Sequence, residues 1–175
     1  MSSSPLLNAE LLREAFRRLD FHLSRANVNA DIFVFGGAAM ILGYDARPAT
    51  RDVDALWRPH GAVLKAAWQV ADEMGLLRSW LNEQASAYVP GPPNWSGKTL
   101  FAGRSLRVVQ AAPEMLLAMK VRAGREVDLH DVVVLASHLG LATSHEILAL
   151  ATAVLGEEIP LRQRQLIEER FDMRA

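Results

Sequence analysis

The sequence contains no cysteine, and that one absence excludes disulfide scaffolds, thiolate zinc sites, thiol nucleophiles and cysteine-ligated iron–sulfur clusters. Any metal must therefore rest on oxygen or imidazole. Histidine is sparse, at positions 22, 60, 130, 138 and 145, and no two stand four apart, so a helical His-pair zinc motif is not expected. Apolar runs are broken by Gly or a charge well short of the ~18 residues a bilayer-spanning helix needs. Repeats and low-complexity tracts are missing too, which removes solenoid, disordered and collagen-like classes. The opening segment carries Glu10, Glu14 and Asp20 on a helical period, unlike a secretory signal or an acid-poor transit peptide. A cytoplasmic protein with no membrane partner is expected.

What is present is a chain of 175 residues, half of them apolar, enough for one domain (1–175) with a sizeable core. The net charge of −1 hides an asymmetry: residues 47–125 hold eleven Lys and Arg against six Asp and Glu. A basic middle of this kind can track a triphosphate or an RNA backbone; the plainer alternative is charge scattered over a solvated surface.

Leu12, Phe16, Leu19 and Leu23 recur at steps of four, three and four, which predicts a helix over 6–25 after a Ser4-Pro5 start. Residues 31–36 form a short β-branched and aromatic run ending in Gly36, hence a buried strand, and 38–42 read as a short helix stopped by Gly43. A second strand is expected over 52–57, ended by Pro59, followed by a helix over 60–77 with Gly75 near its end. Residues 85–98 make a long loop, 100–102 and 106–109 a hairpin, and helices follow over 113–123, 129–139, 144–155 and 161–171. The predicted class is α+β, a small mixed sheet over about 27–110 followed by a helical part over about 112–175.

Gly36 and Gly37 lie between a strand and a helix, where unpaired backbone N–H groups and the helix dipole attract phosphate and missing side chains let it approach. A tight turn uses the same pair. Asp52 and Asp54, two apart on a predicted strand, share one face. Two carboxylates ~4 Å apart repel by ~4 kcal/mol at an effective dielectric of 20, so a cation between them relieves the pair. Oxygen-only ligands suit Mg²⁺ (or Mn²⁺), which binds one or two carboxylates together with substrate phosphates. The structural alternative is a strand-start Asp capping a turn beside a surface Asp.

The stretch FGGAAMILGYDARPATRDVDAL, residues 35–56, resembles the signature of the nucleotidyltransferase superfamily. A strand there leads to a Gly-Gly or Gly-Ser helix start, and an Asp-x-Asp follows on the next strand. The resemblance implies that Gly36 and Gly37 hold a triphosphate and that Asp52 and Asp54 hold Mg²⁺, Asp54 being catalytic. Arg47, Thr50 and Arg51 are similar to the Arg-x-x-Thr-x-Asp approach of a bacterial nucleotidyltransferase-like family and fall to nucleotide binding. A second stretch, LLAMKVRAGREVDLHDV over 116–132, looks like the Lys, Arg, Asp-x-x-Asp segment of that family and of the AbiEii-type toxins of bacterial toxin–antitoxin systems. By that resemblance Lys120 (nucleotide-binding and catalytic) and Asp128 (catalytic) join the active site, with Asp131 and Arg125 as further candidates. On spacing alone, Asp128 and Asp131 are neighbours at a helix start, where carboxylates stabilise the N-terminus by ~0.3–1 kcal/mol. Lys120 either snorkels from a helix edge or aims at a phosphate, and Lys120→Met is expected to keep the fold.

Many nucleotidyltransferases carry a third carboxylate on a later strand, and the segment Leu106-Arg-Val-Val-Gln110 has none. Residues 91–99 look like a P-loop but have the wrong spacing, two prolines and a hairpin instead of a helix after them. Of the tryptophans at 57, 68, 80 and 95, only Trp95, in the long loop, is retained as a lid candidate. The resemblance implies a Mg²⁺-dependent nucleotidyltransferase moving a nucleoside monophosphate from an NTP to a hydroxyl acceptor, tRNA or a partner protein, within a toxin–antitoxin pair. Two alternatives stand beside it: an antibiotic nucleotidyltransferase of the aminoglycoside or lincosamide type, and a catalytically weak nucleotide-binding or antitoxin-like module suggested by the absent carboxylate.

Overall fold

A computed structural model describes residues 5–172; Ser4 of the expected helix start lies outside them. The described residues form seven α-helices and five strands, a mixed α+β class as predicted. The chain divides into two compact units. One comprises the residues up to Ala87 together with Pro93–Ala111, and the other comprises Tyr88–Pro92 together with the chain from Ala112 onward.

The first unit holds α1 (Ala9–Arg25), β1 (Ala30–Phe35), α2 (Gly36–Tyr44), β2 (Val53–Arg58), α3 (His60–Met74), β3 (Leu81–Asn82), β4 (Thr99–Ala102) and β5 (Leu106–Gln110). The strands form one open sheet in the order β3-β2-β1-β5-β4. β1 is central, antiparallel to β2 and parallel to β5, while β3 joins β2 in parallel and β4 closes a hairpin on β5.

Register sorts the side chains onto two faces, because residues side by side in adjacent strands point the same way. Ile32, Val34, Val53, Ala55, Val108 and Gln110 share one face. Phe101, opposite Val108, shares it too and meets Phe16 of α1 at 6.0 Å between ring centroids, so α1 covers this side. Phe16 in turn lies 6.5 Å from Trp80, whose indole N–H donates to the Ala67 carbonyl of α3. The opposite face carries Phe33, Phe35, Val109 and Asp54.

Helix α1 starts later than its apolar period suggests. Asn8 accepts from the Leu11 amide and caps it, while Leu7 pairs instead with Thr50, two backbone bonds of 2.8 and 2.9 Å. Gly43 does not stop α2. The helix runs through it to Tyr44, and Asp45 takes the left-handed cap conformation. The reason for glycine lies across the unit: a Cβ at position 43 would stand 2.8 Å from Cδ of Gln110. The strand expected over 52–57 begins one residue later, at Val53, and the helix expected to reach 77 ends at Met74, where Gly75 adopts φ +66°.

In the second unit, α4 (Pro113–Ala123), α5 (Leu129–Leu139), α6 (Ser144–Leu155) and α7 (Leu161–Asp172) follow the predicted bounds closely. Their signals are local. Pro113 opens α4, left-handed Gly124, Gly140 and Gly156 close three helices, and Thr143 with Glu146 forms a capping box before α6.

In a free helix Gly→Ala gains about 0.5–1 kcal/mol. Here Gly43→Ala must displace the buried Gln110 amide, whose Oε1 has no hydrogen-bond partner, so we expect a loss of ~1–3 kcal/mol instead. In a Gln110→Ala background the same change should become neutral or stabilising. Urea unfolding of the four variants checks this reversal of sign.

Candidate functional site

β1 passes into α2 with no intervening loop, and the turn is made at Gly36, whose φ of +66° disfavours any side chain. A Cβ at Gly36 would stand 2.5 Å from Oδ2 of Asp54, and one at Gly37 would stand 2.6 Å from Oγ1 of Thr50 and 3.7 Å from Nη1 of Arg47. The two missing side chains therefore let a carboxylate and a hydroxyl reach the first turn of α2, with the Arg47 guanidinium at ordinary contact distance beside them. Phe35, at the cap position, supplies no side-chain hydrogen bond to the first-turn amides. A helix start of this kind attracts anions through its exposed N–H groups and dipole. Thr50 is held in place by its backbone pairing with Leu7, and Asp54 by its position opposite Phe35 in the β1–β2 ladder.

Asp52 precedes β2, half-buried, and its Oδ2 accepts from Nδ2 of Asn82 at 3.1 Å. Asn82 is the lateral partner of Asp54 on β3, so its side chain lies on the Asp54 face, and Asp52 reaches the same side. Asp52 and Asp54 thus lie on one face of the sheet, and Asp54 stands beside the start of α2. Among the described residues no group of three or more His, Asp or Glu gathers. The pair suits a hard cation such as Mg²⁺ whose remaining ligands are water or phosphate oxygens. Asn82 had no role in the sequence reading, since a two-residue strand has no period to read.

The other sequence-predicted features of this unit are more dispersed. Arg51 is exposed. On β5 the residues facing the Asp54 side are Arg107 and Val109, opposite Asp31 and Phe33; Gln110, the polar residue at the strand end, faces α2. Trp95 lies on the Asp54 face, its ring 6.2 Å from that of Phe33 with the Arg58 guanidinium 4.3 Å above it. The basic excess of the middle segment is largely internally paired. Arg58 and Arg107 both hold Asp31 at 2.8 Å, and Arg78 holds Asp72. Burial alone would raise the Asp31 carboxyl, but the two guanidiniums hold it below its ordinary value.

Lys120, Asp128, Asp131 and Arg125 gather in the helical unit. The Lys120 ammonium lies 2.7 Å from Oδ1 of Asp128 and 2.8 Å from Oδ2 of Asp131, and all three side chains are buried. Arg125, largely exposed, adds a 2.6 Å contact from Nε to the other Asp128 oxygen. Asp128 occupies the cap position of α5 but makes no cap hydrogen bond; its carboxylate is turned to the two cations. A snorkelling stem would tolerate methionine. An ammonium buried between two carboxylates does not, so Lys120→Met is expected to destabilise this unit by roughly 3–5 kcal/mol, contrary to the expectation from sequence.

Burial pushes the Asp128 carboxyl up, yet the ammonium and the guanidinium outweigh it and leave it below the ordinary range. A lowered carboxyl contributes stability that is complete above its unfolded value of about 3.9 and is lost as pH falls through the lowered one. Acid unfolding followed by circular dichroism should therefore show a shallower loss below about pH 4 for Asp128→Asn, from a lower plateau, than for the wild type.

Among the described residues no single helix is long and apolar enough to cross a membrane. The model of a family described as "Nucleotidyltransferase of unknown function (DUF6036)" matches residues 10–155. Comparisons with curated proteins and with solved structures gave no match.

Proposed function

The chain belongs to this nucleotidyltransferase family, and on that premise we propose that it moves a nucleoside monophosphate from an NTP to a hydroxyl acceptor, using Mg²⁺ or Mn²⁺, at the start of α2. The observation that carries this reading is the packing of Asp54 against Gly36, since a carboxylate beside a glycine helix start supports a metal ion and a triphosphate at one locus. The residues this reading uses at that locus belong to the sheet-bearing unit.

The first-turn amides of Gly36 and Gly37 would receive the triphosphate, with Thr50 adding a hydroxyl donor and Arg47 a positive charge beside them. Asp52 and Asp54 would hold the metal, which when bound neutralises developing charge and lowers the pKa of the acceptor hydroxyl. The acceptor oxygen forms its bond to the α-phosphorus as the bond to pyrophosphate breaks, and the hydroxyl proton is released. The helix start and Arg47 offset the charge that accumulates on the departing pyrophosphate. The likeness of residues 116–132 to AbiEii-type toxins supports tRNA or a partner protein as the acceptor, and a toxin–antitoxin setting.

One observation favours a second reading, nucleotide binding with little turnover: no carboxylate of β5 faces the Asp54 side. The two are separable. Mg²⁺ with one of the four NTPs should raise the melting temperature by several degrees and EDTA should reverse it, because a ligand bound only by the native state stabilises it. Asp54→Asn should lose that shift while keeping the wild-type circular dichroism spectrum. Transfer from the matching α-labelled NTP to total tRNA should occur with the wild type and vanish with Asp54→Asn. A shift without transfer supports the binding-only reading, and no shift with any NTP overturns both.

A further inference from the structure

The two-residue strand β3 brings Asn82 beside both aspartates. Asn82 is the lateral partner of Asp54, and its amide nitrogen donates to Oδ2 of Asp52 at 3.1 Å and to the Ser79 carbonyl at 3.3 Å. Its oxygen accepts from the Gln84 amide at 3.0 Å. Both amide hydrogens and the carbonyl oxygen are engaged, and the residue is 7% exposed. Turning the amide over would set its oxygen against the Asp52 carboxylate and its NH₂ against the Gln84 N–H, so three contacts fix its orientation together. Asp52, by contrast, lies just outside β2 and lacks the ladder that holds Asp54. A carboxylate in that position depends on a side-chain donor for its direction.

We propose that Asn82 is a positioning residue for the metal site: by holding one oxygen of Asp52 it fixes the direction of that carboxylate on the face it shares with Asp54. This rests on the assignment of Asp52 and Asp54 as metal ligands. Partners of this kind, which hold a ligand without touching the ion, typically change metal affinity by ~10–100-fold when removed. A purely structural role, in which Asn82 only closes the turn between Ser79 and Gln84, leaves metal affinity untouched.

Asn82→Ser separates the two roles. The shorter hydroxyl can still accept from the amide two residues on, as Ser does in turns, but it falls short of Asp52. The measurement is Mn²⁺ binding to the full chain, followed by the electron paramagnetic resonance signal of the free ion, beside the melting temperature of each variant. Asn82→Ser is expected to raise the Mn²⁺ dissociation constant ~10–100-fold at a near-wild-type melting temperature. In an Asp52→Asn background the same change should have no further effect on Mn²⁺ binding, because the carboxylate it aims is gone. Equal Mn²⁺ affinity of wild type and Asn82→Ser overturns the inference while leaving the metal site standing, and so does an additive loss in the Asp52→Asn background. Unchanged Mn²⁺ binding in both Asp52→Asn and Asp54→Asn overturns the metal assignment, and the inference with it. If Asn82→Ser melts early, Asn82→Thr keeps a hydroxyl acceptor for Gln84 and restores part of the lost volume in a β-branched residue suited to a strand, while still falling short of Asp52. Wild-type Mn²⁺ affinity in that variant likewise counts against positioning.

Discussion

The geometry of the sheet-bearing unit turns on how closely a carboxylate approaches the start of a helix. Asp54 can lie against Gly36 only because position 36 has no Cβ, and Gly36 can turn the chain from β1 into α2 because it tolerates a φ of +66°. Either property alone selects glycine; together they leave no alternative without moving the strand or the helix. Neighbouring features serve this approach. Leu7 pins the backbone at Thr50, the β1–β2 ladder fixes Asp54, and Asn82 reaches Asp52 from the sheet edge. A carboxylate near a helix N-terminus is itself favoured by the dipole, so the locus is compatible with folding before any ligand arrives.

The helical unit handles charge differently. Its buried ammonium meets two carboxylates, one of which is shared with an exposed guanidinium. Clusters of this kind add little net stability over an apolar core of the same volume, but they are intolerant of losing one member. The partners come from α4, from the 3-10 turn that precedes α5, and from the first turn of α5. The cluster therefore ties together the two sides of the connection at Gly124.

Much of this was legible in the sequence wherever the determining signal was local. Pro113, Gly124, Gly140, Gly156 and the Thr143 capping box mark helix ends through their own backbone preferences, and those bounds agree closely. Gly36, Gly37, Asp52 and Asp54 stand out as candidates because phosphate and cation chemistry each constrain residue type at short spacing, and the structure sets Asp54 against Gly36 and Thr50 against Gly37. Features set by distant pairing were not legible. β3 is two residues long and exists only because Leu81 and Asn82 lie beside Val53 and Asp54, so the contact of Asn82 with Asp52 was invisible. Gly43 looked like a helix stop because its actual constraint, the Gln110 side chain, comes from a strand more than sixty residues away. Lys120, Asp128, Asp131 and Arg125 could be grouped by resemblance, but the burial of the ammonium between two carboxylates could not be read, because they span a helix, a turn and another helix, a spacing that no single period describes.

Strand parity decides which residues of β5 could ever complete the acidic set. Gln110 faces α2, and of the positions whose alternation points toward the Asp54 side Arg107 is held at the far end opposite Asp31, which leaves Val109 and, just past the strand end, Ala111. Every valine codon and every alanine codon becomes an aspartate or glutamate codon on changing its second base to adenine. The fuller carboxylate complement therefore lies one nucleotide away at either position. What opposes that step is physical: both sites are fully or almost fully enclosed, and a carboxylate placed there is strongly disfavoured unless a cation arrives to meet it.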